Sequence, residues 1–243
     1  MTPRWADRAD ARKEFAVYRG ALGFCSAKRP ATLEPGVYEA FGAYRTCDIS
    51  DALYGAHTMR GIRAVVPAVS RLVGPAITLS LPGSGFEMIG AAMAQAQPGD
   101  VLVITTCGAV DAAYWGGFMT ATARGLGIAG LVIDGAVRDL DEIQAAGFPV
   151  FSRAVATGMA VNEGAWGQIN MPIACGGISV SAGDVVVADE HGVVAIPSAW
   201  AERVLVDIGR FVADEGEGGM PTSFDLQKKM LDLGMAAFEA EPA

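Results

Sequence analysis

Short apolar runs recur along the chain, each bounded by glycine, proline or aspartate. Residues 76–81 (AITLSL), 101–105 (VLVIT), 131–133 (LVI) and 148–151 (FPVF) are the clearest. Runs this short, flanked by turn residues, read as strands covered on both faces. Between them lie segments with helical character: 86–96, 113–125, and 140–146, which is closed by Gly147. Strand, helix and strand in alternation predict parallel strands joined by right-handed crossovers. Gly74-Pro75 divides residues 63–82 into two strand-like runs. The run at 131–133 ends at Asp134-Gly135, so the polar residues that follow sit past a strand's C-terminal end, where open α/β sheets place ligands. Residues 176–197 change character. Their short β-branched runs, separated by SAGD and DEHG, predict antiparallel hairpins. An N-terminal arm is predicted to be helical over 7–18, a short helix to run to Leu53 with Asp48 or Ser50 as its cap, and residues 198–238 to be helical with a break at GEGGMP.

Composition narrows the class. The chain has 243 residues, 51% of them apolar and 19% charged, which suits a packed globular protein rather than a disordered one. No apolar run approaches the ~20 residues of a membrane span, and the charged start MTPRWADRADARKEF has no apolar core of a secretory signal. A cytoplasmic protein with four reduced cysteines is expected. The net charge of −9, without a Lys/Arg cluster, argues against binding phosphate backbones, so neither nucleic acid nor membrane is an expected partner. An acidic surface facing a basic protein fits the same charge. With only His57 and His191, a three-histidine metal site within one chain is excluded.

Three stretches bear on chemistry. Gly83-Ser84-Gly85 follows a strand and precedes a helix, but the next glycine is Gly90 and the dinucleotide spacing fails. A turn exposing N–H groups to an anion, or simply a tight turn, remains. Trp115-Gly116-Gly117-Phe118-Met119 opens a helix, and glycines there let a carboxylate approach the N–H groups and the positive end of the helix dipole. The plainer reading is helix–sheet packing. Arg138-Asp139 places a cation able to grip a carboxylate bidentately beside an oxygen ligand for a hard divalent ion. Its plainer reading is a surface ion pair.

Several motifs in order, CDISDAL, PGDVLVITTCG, the WGG helix start, GLVIDGAVRDLDEIQAAGFPVFSR and GGISVSAGDVVVADEHGVVAIP, resemble the RraA-like family. That family holds the class II 4-hydroxy-4-methyl-2-oxoglutarate/4-carboxy-4-hydroxy-2-oxoadipate aldolases and the regulator of ribonuclease E activity. The likeness spans residues 44–197, leaving 1–43 as a helical arm and 198–243 as a C-terminal helical segment. It implies an α/β fold with an αββα core, and homotrimers or homohexamers with sites between subunits. It also implies a metal-dependent lyase that cleaves a C–C bond beside an α-keto acid, by retro-aldol reaction or oxaloacetate decarboxylation. By that likeness Arg138 binds the pyruvyl oxygen, Asp139 ligates Mg²⁺ or Mn²⁺, and the N–H groups of Gly117, Phe118 and Met119 take the substrate carboxylate. The chain departs from the aldolases at Gly117, where they carry an acid, and in its PGSG turn. Asp111, Glu87, or Glu215 or Glu217 of a neighbouring subunit are the candidate replacements. The departure also leaves open a non-catalytic regulator that binds a protein, or a divergent decarboxylase or hydratase built on the same Arg-Asp anchor.

Overall fold

Four strands of the long sheet carry the site, and their order follows from the crossovers between them. In the computed structural model, residues 17–18, 24–69, 71–82, 85–160 and 167–218 are described. Strand β4 (Leu72–Ser80) leads through helix α3 (Phe86–Met93) to β5 (Val101–Thr105). Next come a short strand β6 (Ala113–Trp115), helix α4 (Gly117–Gly125), β7 (Gly130–Val137), helix α5 (Leu140–Ala146) and β8 (Val150–Val155). β4, β5, β7 and β8 pair in that order and all in parallel, as the alternation predicted. The chain before them holds β1 (Val17–Tyr18), β2 (Phe24–Ala27), helices α1 (Pro35–Gly42) and α2 (Thr46–Ala52), and β3 (Arg63–Ala64). After them come β9 (Gly167–Ile169), a hairpin of β10 (Ile173–Cys175) and β11 (Ile178–Val180), a second of β12 (Val185–Asp189) and β13 (Gly192–Ile196), and helix α6 (Ala201–Gly218).

Side-chain alternation along these strands builds four layers. On one face, Ile77, Leu79, Leu102, Ile104, Leu131 and Ile133 pack against Met88 and Ile89 of α3, Ala123 of α4 and Ile143 of α5. On the other, Ala76, Val101, Val103 and Val132 meet Ile173, Cys175, Val186 and Val193 of the two hairpins. The outer residues of the second hairpin, Val185, Val187, Val194 and Ile196, then pack against Phe41, Ile49, Val204 and Ile208 of α1, α2 and α6. This is the predicted αββα arrangement.

Several expectations need correction. Residues 17 and 18 are not helical; they pair antiparallel with β2, which itself runs parallel to β9. The rest of the predicted 7–18 helix lies outside the described residues, as do Gly83 and Ser84. Gly74-Pro75 does not split its segment. β4 runs through it, because Leu72–Pro75 pairs with β12 and Ala76–Ser80 with β5. Pro75 therefore sits where the strand changes partners, and a Cβ on Gly74 would collide with the Gly99 carbonyl. The helix predicted from 113 starts at Gly117, since residues 113–115 form a strand beside the end of β7. That extra partner also lengthens β7 past Asp134-Gly135 to Val137. Helix α3 ends at Met93 rather than 96. The N-cap of α2 is Arg45, and Asp48 helps cap the helix by accepting the Arg45 N–H at 3.3 Å, whereas the Ser50 hydroxyl bonds that of Thr58. Asp189 of β12 accepts from the Thr46 N–H at 2.8 Å and from its hydroxyl at 2.5 Å.

Candidate functional site

The pairing of β6 with the far end of β7 brings the start of α4 beside Arg138 and Asp139. The Arg138 N–H donates to the Trp115 carbonyl at 3.0 Å. Trp115 is buried, its indole N–H donates to the Thr120 hydroxyl at 2.8 Å, and its ring stacks on Phe148. The tryptophan thus anchors the helix start to the core.

Asp139 is left-handed at φ 57°, a conformation that aspartate tolerates better than most side chains. It occupies the N-cap position of α5 without capping that helix through its side chain. Its Oδ2 instead accepts the N–H of Gly117, the first residue of α4, at 3.0 Å, and lies 3.5 Å from Arg138 Nε. The two glycines are explained by this approach. A Cβ on Gly116 would strike the Asp139 carboxylate and lie 3.3 Å from Arg138 Cγ. A Cβ on Gly117 would strike the Glu142 carboxylate. The doublet admits acids to the helix terminus, so helix–sheet packing is not its explanation.

A cavity of about 180 Å³ opens here, walled by Trp115, Gly116, Phe118, Met119, Arg138 and Asp139, with Ala113 and Met159 completing it. The Arg138 and Asp139 side chains are 38% and 33% exposed, so both are reachable by a small ligand. Phe118 and Met159 form an exposed apolar rim. Met159 is held there by bonds of the flanking backbone to Ala113. Of the three N–H groups expected to take a carboxylate, that of Gly117 is given to Asp139. Those of Phe118 and Met119, in the first turn of α4, have no acceptor within the helix.

Four of the sequence-derived residues, Phe118, Met119, Arg138 and Asp139, therefore meet at one cavity, with Gly117 bonded to Asp139. Asp111 lies in the loop before β6 and Glu87 in the first turn of α3, and neither lines the cavity. Glu215 and Glu217 fall in the last turns of α6, and their side chains are outside the described residues. Sequence reasoning missed Ala113 and Met159, which carry no local signal, and the packing of Glu142 over Gly117.

Asp134, within β7, does other work. Its carboxylate pairs with Arg153 of β8 and accepts the Gly176 N–H at 2.7 Å, tying β7 to β8 and to the first hairpin. Burial pushes its pKa up, but these donors outweigh that and hold it below the ordinary carboxylate value. It borders a second cavity of about 450 Å³ with Ser80, Thr105, Cys107 and Gln168.

Among the described residues, no group of three or more His, Cys, Asp or Glu side chains is placed to hold a metal ion. Among the described residues that line the cavity, the one charged oxygen ligand is the Asp139 carboxylate, beside the soft thioethers of Met119 and Met159. That carboxylate suits a hard cation such as Mg²⁺ or Mn²⁺, which retains several waters and needs one or two carboxylates. It does not suit zinc, which favours histidine and thiolate.

Residues 46–195 match the family described as RraA-like, Aldolase/RraA. A protein of Halalkalibacterium halodurans, provisionally named as a 4-hydroxy-4-methyl-2-oxoglutarate aldolase, is 38% identical over 170 residues, covering 70% of this chain and 80% of its own. The RNA-processing inhibitor RraA from Thermus thermophilis superimposes with a TM-score of 0.52 at 28% identity, over 63% of this chain and 93% of that one. RraAS2 of Streptomyces coelicolor, an unusual member of the RNase ES inhibitor RraA family, shares the fold with a TM-score of 0.68 at 23% identity, over 77% and 96%. Matched over most of its core by family, sequence and fold, the chain belongs to the RraA-like (Aldolase/RraA) family.

Proposed function

We propose that the protein is a divalent-metal-dependent lyase that cleaves the C–C bond of a 4-hydroxy-2-oxo acid, or decarboxylates oxaloacetate, to release pyruvate. The observation that carries this reading is the Arg138–Asp139 pair facing the glycine-opened start of α4 across one small cavity. The N–H groups of Phe118 and Met119 bind the substrate carboxylate, where the helix terminus favours an anion. Arg138 binds the carbonyl oxygen and adds fixed positive charge where the oxyanion grows during cleavage. Trp115 and Met119 give the pyruvyl end an apolar wall. Asp139, aimed by its left-handed backbone and the Gly117 N–H, would hold Mg²⁺ or Mn²⁺. Such an ion supplies Lewis-acid polarisation of the α-keto group. Pyruvate release with and without Mn²⁺, compared between wild type and Arg138→Ala, tests the reading.

The exposed Phe118 and Met159 around the cavity suit cover by a neighbouring subunit, and the family resemblance implies that this assembly is a homotrimer, alone or paired into a hexamer. A second reading, a regulator that binds a basic protein partner, draws on the net charge of −9 and on the relative named as an RNA-processing inhibitor. Inert chemistry together with stoichiometric capture of a basic protein would favour it.

A further inference from the structure

Among the described residues the cavity lining includes one carboxylate, Asp139, whose position is already accounted for; Glu142 stands just outside that lining, over Gly117 between the lining residues Gly116 and Phe118. Asp139 Oδ2 accepts the Gly117 N–H and faces Arg138. Cleaving a 4-hydroxy-2-oxo acid needs another group, because the C4 hydroxyl must lose its proton as the C3–C4 bond breaks. Position 117, beside the cavity residues Gly116 and Phe118, is the natural place from which an acid would project, and it is a glycine.

The space a residue-117 side chain would fill is not empty. A Cβ built on Gly117 would overlap the carboxylate oxygen of Glu142, with Glu142 Cδ at 2.5 Å and its Cβ at 2.9 Å. Glu142 lies in the first turn of α5, which Asp139 precedes in its left-handed conformation. The two acids cover consecutive glycines of α4: Asp139 lies over Gly116, and Glu142 over Gly117. Position 117 can carry a side chain only if Glu142 moves away, so the site has room for one acid here, delivered from one helix or the other.

We infer that Glu142 is the proton-accepting acid of this site, delivered from α5 into the place that α4 leaves bare at Gly117. The inference rests on the lyase reading. Glu142 takes the proton from the C4 hydroxyl. The C3–C4 electron pair moves to C3 and into the pyruvyl carbonyl, giving the enolate that Arg138 stabilises. The C4–O bond becomes a carbonyl and departs with the second product, and the proton returns to C3 to complete pyruvate. No further reactant is consumed.

The experiment is a four-member cycle: wild type, Glu142→Ala, Gly117→Asp and the double variant, with Glu142→Gln alongside. Each is assayed for pyruvate release from a 4-hydroxy-2-oxo acid and melted without metal. Glu142→Gln and Glu142→Ala should lower kcat by about 10²-fold or more, the scale of general acid–base catalysis, with KM and melting temperature near wild type. Gly117→Asp alone should melt lower, because its side chain meets Glu142. The double variant should regain both melting temperature and turnover. Full turnover in Glu142→Gln with an active wild type overturns the assignment and leaves the lyase reading standing. Gly117→Asp and Glu142→Ala effects on melting that simply add would overturn the shared-space argument. A wild type inert on every 4-hydroxy-2-oxo acid removes the lyase reading, and the role of Glu142 with it.

Discussion

At the residue scale, Asp139 gives its carboxylate to a neighbouring helix rather than to the one it precedes. Asparagine tolerates the same left-handed backbone and keeps a hydrogen-bond acceptor for Gly117. Asp139→Asn should therefore melt like wild type while binding Mn²⁺ more weakly in calorimetric titration. Loss of fold in that variant would mean its charge is structural. Gly116→Ala should cost about 1–3 kcal/mol in urea unfolding, the range for forcing extra volume into a packed site, because the new methyl meets the Asp139 carboxylate. Two other aspartates contribute to the acid sensitivity of stability. Asp189 is pushed up by burial, but donors from Thr46 and the His191 N–H outweigh that and depress it, and Asp134 is depressed in the same way by Arg153 and Gly176. A depressed folded pKa gives stability that is present above the unfolded value of about 4 and is lost as pH falls below it. Melting temperature should thus drop below pH 4, and Asp189→Asn should flatten that drop. A slope unchanged in the variant would assign the acid sensitivity elsewhere.

At the element scale, local signals and tertiary ones separate cleanly. β5 and α5 were legible to the residue, because Pro98-Gly99-Asp100 opens the first and Gly147, in the left-handed conformation at the C-cap, closes the second. β4 was misread as broken, because its change of partner at Pro75 depends on strands more than a hundred residues later. β6 was misread as helix, because the apolar triplet Ala-Tyr-Trp is neutral between the two and only the far end of β7 decides it. For the same reason Arg138 and Asp139 were legible as a strand-end pair, yet the strand end was placed too early. Glu142 was illegible as a site residue, since an exposed acid on a helix looks solvated until the bare Cα of Gly117 is seen beneath it. The N-terminal segment is locked by an ion pair that the sequence did not mark. Arg29 binds Asp100 with both forks, at 2.7 and 2.6 Å, and the aspartate is fully buried. Arg29→Ala leaves that charge uncompensated and should cost about 3–5 kcal/mol by urea unfolding; a loss under 1 kcal/mol would show that water replaces the arginine.

At the scale of the whole molecule, the αββα layers leave the ends of α4 and β7 at the surface, with the Arg138–Asp139 cavity framed by exposed Phe118 and Met159. No helix among the described residues is long and apolar enough to cross a membrane. Two exposed apolar side chains bordering a polar cavity suit a surface that a neighbouring subunit covers, as proposed above. Light scattering should return a mass that is a multiple of three 25.1 kDa protomers, and Met159→Glu should shift it toward the monomer while lowering turnover. A monodisperse active monomer would contradict the shared site. The central claim, that the Arg138–Asp139 pair performs metal-assisted cleavage beside an α-keto group, is tested most directly by pyruvate release from oxaloacetate and from 4-hydroxy-2-oxo acids in the presence and absence of Mn²⁺. Wild type should turn over only with metal, and Arg138→Ala should lose about 10²–10³-fold in kcat, the cost of removing one oxyanion donor. Metal-dependent turnover undiminished in Arg138→Ala would contradict the account.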